Sequence, residues 1–134
     1  LLKAMAENQA DFTLTFRRLC NAAEDSAADP AIRDLFVDPT AYDGWAVRWR
    51  ERLSQEPHDG ASRAAAMRAV NPAFIPRNHR VEAALTAASE NGDFEPFRRL
   101  LALLQKPFDE QPDAAGYELP AAPEERVLHT FCGT

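Results

Sequence analysis

The chain has 134 residues, 46% hydrophobic and 27% charged, with 15 Lys+Arg against 21 Asp+Glu and a formal net charge of −6. This length suits one domain, able to bury roughly two thirds of its unfolded surface, and the acidic balance argues against a nucleic-acid partner, which needs a basic face. No apolar run approaches the roughly 20 residues of a membrane span and no signal peptide opens the chain, while two widely separated cysteines form neither a disulfide scaffold nor a zinc site and suit a reducing cytoplasm or a single regulated bond.

The first residue is Leu1 rather than Met, so the sequence reads as part of a longer chain. From Leu1 to about Ala23 one helix is expected, because Leu2, Met5, Phe12, Phe16 and Leu19 recur at roughly helical spacing. Cys20 falls on the Phe16 side and is expected in the core, as free cysteine is among the most buried residue types. Ala22 to Asp29 is a small, acidic connector. Asp29-Pro30 then reads as an N-cap followed by Pro at the first helical position. The short helix it opens runs through Ile32, Leu35 and Phe36, and Asp38-Pro39 stops it.

Tyr42 to Leu53 is a clearer helix. Tyr42, Trp45, Trp49 and Leu53 share one face. Two Trp on one stripe are read as core anchors rather than as a ligand platform. Arg48, Arg50, Glu51 and Arg52 occupy the solvated faces. Pro57-His58-Asp59-Gly60 is a loop, followed by an alanine-rich helix from Ala61 to Val70 with Met67 and Val70 inward. Asn71-Pro72 breaks it, since the residue before Pro is biased away from the helical region.

Ala73-Phe74-Ile75-Pro76 is expected to be extended, and Asn78 to cap a helix carrying Val81, Ala84, Leu85 and Ala88. Gly92 closes that helix in the left-handed position after Asn91. Asp93 caps another through Phe94, Phe97, Leu100, Leu101 and Leu104, which Pro107 ends. Four prolines from Pro107 to Pro123 oppose long regular structure, yet Phe108, Tyr117, Leu119, Val127, Leu128 and Phe131 recur. The expected fold is all-α: an irregular bundle of about five or six helices over residues 1–106. An extended, Pro-rich tail over 107–134 packs on it or on a neighbouring domain.

Little in the chain suggests chemistry. There is no Gly-rich phosphate loop, no H-E-x-x-H and no paired-Cys spacing for a metal. His58, His79 and His129 stand isolated, and Glu82, Asp109 and Glu110 read as solvated acids. Two places stand out. In the segment Asn71 to Arg80, two prolines frame an apolar pair. Arg77, Asn78 and Arg80 then follow at a helix start, a candidate anion or domain contact. The second place is Cys132, third from the end. A thiol near an irregular chain terminus is placed to reach another sulfur, and His129 beside it would lower its pKa if the tail folds back.

Together these segments resemble the C-terminal part of the selenoprotein O family. The resemblance rests on Asp11-Phe12-Thr13 with Phe16-Arg17, on Trp49-Arg50-Glu51-Arg52-Leu53, on Met67 with Asn71-Pro72 through Arg77-Asn78, on Gly92-Asp93-Phe94, on Pro107-Phe108 with Glu110-Gln111-Pro112, and on Phe131-Cys132-Gly133-Thr134. It implies a bacterial, cytoplasmic, pseudokinase-like enzyme that transfers AMP from ATP to hydroxyls of protein substrates with Mg2+ or Mn2+. The nucleotide- and metal-binding residues of that family lie in its larger N-terminal part, so the resemblance assigns no catalytic residue, metal ligand or cofactor site to this chain. It implies a redox role for Cys132, because some members carry selenocysteine at the corresponding place. The expected partners are the N-terminal catalytic domain and the protein substrates. Self-association is expected through apolar surface that the neighbouring domain would cover. The competing reading is a freestanding helical protein-interaction module.

Overall fold

A computed structural model describes residues 1–127. His129 and Cys132 lie outside the described residues, which hold seven α-helices and no strand. The chain divides into two compact units, Leu1–Pro72 and Ala73–Thr134. The expected change from helical domain to tail, at Lys106–Pro107, falls within the second.

In the first unit the stretch expected as one helix is two, α1 (Leu2–Glu7) and α2 (Phe12–Ala22). The break has a polar cause. Gln9 takes a left-handed φ of 54°, and the Asp11 carboxylate accepts from the Leu14 amide at 2.8 Å, capping α2. Asn8 Nδ2 donates to Ala4 O at 2.9 Å, while its Oδ1 accepts from the Asp38 amide at 2.7 Å. Side-chain hydrogen bonds thus make a turn that contains neither Gly nor Pro.

A 3-10 turn, Ser26–Ala28, leads into α3 (Asp29–Arg33). Asp29 was expected as its N-cap, but Ala28 holds that position and caps nothing with its side chain. The Asp29 carboxylate is engaged elsewhere: it accepts from Tyr42 Oη and from Arg50 Nη2, both at 2.7 Å. A charge-assisted tertiary contact has outcompeted a local one. The next helix, α4 (Pro39–Leu53), begins ahead of the expected Tyr42. Asp38 caps it, accepting from the Thr40 amide at 2.9 Å, and Pro39 is its first residue. The Asp-Pro pair therefore starts a helix as well as ending the turn before it. Asp59 caps α5 (Gly60–Arg68) through the Ser62 amide at 2.8 Å. Gly60 sits in a close approach, where a Cβ would stand 3.1 Å from the Glu24 backbone and force a small local shift.

Met5, Leu19, Ile32, Phe36 and Tyr42 form the core of this unit. Trp45 and Trp49 stack on each other at 5.0 Å and pack against that core half-buried, so the fully buried α4 residues are Tyr42 and Ala46. Val70, expected inward, is exposed. α5 stops at Arg68, and the turn beyond it carries Val70 off the inner face. Cys20 is fully buried as expected, its Sγ donating to Phe16 O at 3.3 Å. Burial pushes its thiol pKa up, away from the reactive thiolate.

In the second unit α6 (Asn78–Asn91) and α7 (Glu95–Leu104) pack as a helical hairpin. Gly92, at φ 64°, supplies the expected left-handed turn; Asp93, expected to cap α7, stands one residue before its N-cap Phe94 and accepts from the Glu95 amide at 2.9 Å. The buried core is small: Ala73, Phe74, Leu103 and Ala114, with Leu104 and Tyr117 against it. The amides of Ala73 and Phe74 both donate to Pro107 O, at 2.8 and 3.1 Å, which ties the extended entry segment to the end of α7. A 3-10 turn over Pro112–Tyr117 contributes Ala114 and Tyr117 to this core.

Candidate functional site

The segment singled out in the sequence, Asn71 to Arg80, forms the N-terminal approach to α6. Its prolines hold the backbone extended. The Arg77 amide donates to Ile75 O at 2.8 Å, and Arg77 O accepts from the Arg80 and Val81 amides at 2.9 and 3.0 Å. Arg77 is therefore the N-cap residue. Asn78, expected to cap, is instead the exposed first residue of the helix, and no side chain caps it. The capping carboxamide one position late cannot reach back to the amides it would satisfy.

Around this helix start lies a depression of about 400 Å³. Ile75 to His79 line one side, and Ala121, Arg126 and Val127 the other. Among the described residues no acidic side chain lines it. Two guanidinium groups and the positive end of the α6 dipole give it an electropositive wall. Arg77 is buried in that wall, at 9% exposure.

Arg80 has a different role. Its Nη2 donates to Gly116 O at 3.0 Å, and its guanidinium lies over the Tyr117 ring at 5.3 Å. Arg99 covers the same ring at 5.5 Å, and its Nη2 donates to Asp113 O at 3.1 Å. Two arginines from two helices thus clasp the 112–117 turn through one tyrosine. Sequence reading did not anticipate this clasp. Arg99 and Tyr117 carry no local pattern that links them.

His79, isolated in the sequence, follows Asn78 in the first turn of α6. Its ring is buried, and Nε2 has no hydrogen-bond partner among the described residues. Burial lowers its pKa below the ordinary 6.5; Arg80 and Arg77 push the same way and Glu125 opposes them. The ring is thus held neutral at pH 7.

His58, Glu82, Asp109 and Glu110 are not among the residues that line the depression. His58 is exposed, its carbonyl accepting from Arg63 Nη2 at 2.8 Å. Glu82, Asp109 and Glu110 are exposed. Among the described residues no group of three or more His, Cys, Asp or Glu side chains is placed to hold a metal ion. No described helix is long and apolar enough to cross a membrane.

Comparison with known proteins gives a consistent result. The family profile for protein adenylyltransferase SelO matches residues 1–105. A protein nucleotidyltransferase YdiU of Rhodopseudomonas palustris (strain BisB5) is 61% identical over 133 residues, covering 99% of this chain and 27% of the relative. One of Bradyrhizobium sp. (strain ORS 278) is 61% identical over 134 residues, 100% of this chain and 27% of its own length. One of Methylorubrum extorquens is 58% identical over 140 residues, 100% and 28%. The chain thus spans about 27% of the length of these relatives, in their C-terminal part.

Proposed function

This chain belongs to the protein adenylyltransferase SelO family, and we propose that it forms the helical C-terminal region of a longer pseudokinase-like enzyme. That enzyme transfers AMP from ATP to Ser, Thr or Tyr hydroxyls of protein substrates in the bacterial cytoplasm. The observation that carries the reading is the asymmetry of coverage: nearly all of this chain matches about 27% of its relatives.

The sequence has no phosphate-cradling loop, and the described residues have no acidic or imidazole cluster suited to an ion. In this reading ATP and Mg2+ or Mn2+ are bound by the rest of the polypeptide. This region is silent alone and contributes by packing. Arg77 and Asn78 then serve as an anion or domain contact at the α6 depression, and Arg80 as the brace behind it.

The tail cysteine has a regulatory place in the same proposal. Cys132 would form a disulfide with a cysteine of the catalytic part. The two thiols lose two protons and two electrons to a low-molecular-weight disulfide, which is reduced to two thiols. The support is the resemblance to family members with selenocysteine at the corresponding place.

Incubation with labelled ATP, a divalent metal and a protein acceptor tests the main reading. The full-length polypeptide should incorporate AMP and this chain alone should not. Incorporation by the chain alone, or none by the full-length protein, would overturn it. Non-reducing peptide mapping of the oxidised full-length protein tests the switch. If Cys132→Ser leaves both the disulfide map and the redox response unchanged, the tail cysteine is a bystander.

A further inference from the structure

The helical hairpin of the second unit carries an apolar groove beside its small core, which covers only part of the lining. Val81, Ala84 and Leu85 of α6 face Phe97, Leu101 and Leu104 of α7 across about 170 Å³, and every lining residue is apolar. Leu85, Phe97 and Leu101 remain 50%, 46% and 48% exposed. The pattern along α7 explains why. Leu100 and Leu103 are buried, while Phe97 and Leu101, four residues apart, form a neighbouring stripe. The apolar arc of α7 is therefore wider than the unit itself covers, which is the pattern of a helix with partners on two sides.

We propose that this groove is the docking site for an amphipathic helix from the part of the parent polypeptide outside this chain. The inference rests on the reading above, that the chain is one region of a longer enzyme. The relatives place most of their length outside the matched part, so a large neighbouring surface is available in every molecule. A tethered neighbour meets the groove at an effective concentration near the millimolar range, which a second copy in dilute solution does not reach. The lining is wholly apolar, as in permanent interfaces and unlike the more polar surfaces of transient encounters. A cleft between two packed helices accepts a third helix through residues at helical spacing. A protein substrate, which must leave after each turnover, fits such a surface poorly.

Single reporter cysteines in the full-length polypeptide test the proposal. Leu85→Cys and Leu101→Cys place a thiol in the groove, and Glu90→Cys places one on exposed surface of α6 as the reference. Each variant is treated with a maleimide under native conditions, and the labelled sites are read by peptide mass spectrometry. Positions 85 and 101 should label about tenfold more slowly than position 90 or slower still, as for sites that open only locally. That protection should persist through about a hundredfold dilution, since it is intramolecular, and after deletion of residues 128–134. Equal rates at all three positions would overturn the proposal. Protection lost on dilution would assign the groove to a second copy, and protection lost with residues 128–134 to the end of this chain; either result overturns it. AMP transfer measured on the same preparations separates the two readings. Fast labelling at 85 and 101 with transfer intact sinks the groove alone, whereas absent transfer sinks the enzyme assignment.

Discussion

The first unit gathers Met5, Leu19, Ile32, Phe36 and Tyr42 into its core and braces them with the stacked indoles of Trp45 and Trp49. The second buries Ala73, Phe74, Leu103 and Ala114, two of them alanines, and leaves Leu85, Phe97 and Leu101 about half open. Polar contacts differ in the same direction. In the first unit the buried Tyr42 hydroxyl joins the half-buried Asp29 and Arg50 in one network. In the second, Arg80 and Arg99 clasp Tyr117 from the surface. A unit with a small core and an apolar outer face depends on something beyond itself for part of its burial. The first unit also leaves Leu2, Phe12, Val37, Val47 and Val70 open, so the contrast lies in the cores: the larger one gives the first unit the greater share of its own stability, and the smaller one leaves the second more dependent on outside burial.

Both tryptophans lie in the first unit, so their fluorescence reports its unfolding alone while far-UV circular dichroism reports both. The largest effect should come from Tyr42→Ala, which removes a fully buried ring and the hydroxyl that Asp29 accepts from. It should cost about 3–5 kcal/mol and move the fluorescence transition in urea. Leu103→Ala should cost about 2–3 kcal/mol, the low end for a leucine beside a partly open core. It should shift only the transition seen by circular dichroism. If Leu103→Ala moves the fluorescence transition equally, the units unfold as one and the comparison fails. Trp49→Ala, at a half-buried position, should cost less than Tyr42→Ala.

Gly92→Ala sharpens the comparison on the second unit. A Cβ at Gly92 meets no atom within 4 Å, so the cost is the left-handed backbone alone. It should be about 1–2 kcal/mol, confined to the hairpin. No change in the amide exchange of α6 and α7 would mean that the hairpin turn is not a stability determinant.

The smallest effect should be a pH dependence peculiar to the second unit. The His79 pKa is held below 6.5 in the fold by burial and by Arg80 and Arg77. The unfolded chain therefore binds a proton at higher pH than the folded one. Stability from this group is full above 6.5 and falls as pH drops from there towards the folded value. The depressed carboxyls of Asp38 and Asp59 in the first unit act in a lower range. Their contribution is present above 3.8 and is lost only as pH falls below it. Between about pH 7.5 and 5.5 the circular dichroism transition should weaken while the fluorescence transition holds. The same slope in His79→Gln would remove the histidine from the explanation.

Several features were legible in the residues alone. The helices around Trp45, Leu85 and Leu101, the turn at Gly92 and the burial of Cys20 all follow from spacing or from single-residue conformational preference. The misreadings at helix ends involve short polar side chains. Asp11 and Asn8 break a helix that the apolar spacing carries straight through, Asp29 leaves its cap for Tyr42 and Arg50, and Asn78 stands one place too late to cap. Asn8 and Asp29 each take a partner far along the chain, the Asp38 amide and the Tyr42–Arg50 pair, which the sequence does not show, whereas the Asp11 cap is a local contact that the apolar spacing masked. The α6 site was half legible. Arg77, Asn78 and Arg80 stood out by type and spacing. That Arg80 turns to Tyr117, and that Arg126 and Val127 reach the same depression, depended on contacts between residues far apart in sequence.

The sequence by itself determined the all-α class, most helix positions and the family resemblance, because periodicity, capping residues and left-handed glycines act over a few residues. Tertiary structure alone decided where Asp29 binds and which of two adjacent apolar stripes on α7 enters the core. It also decided that residues beyond Pro107 complete the second unit. Those outcomes are set by which groups exclude water together, and that is a property of the folded arrangement rather than of any local run of residues.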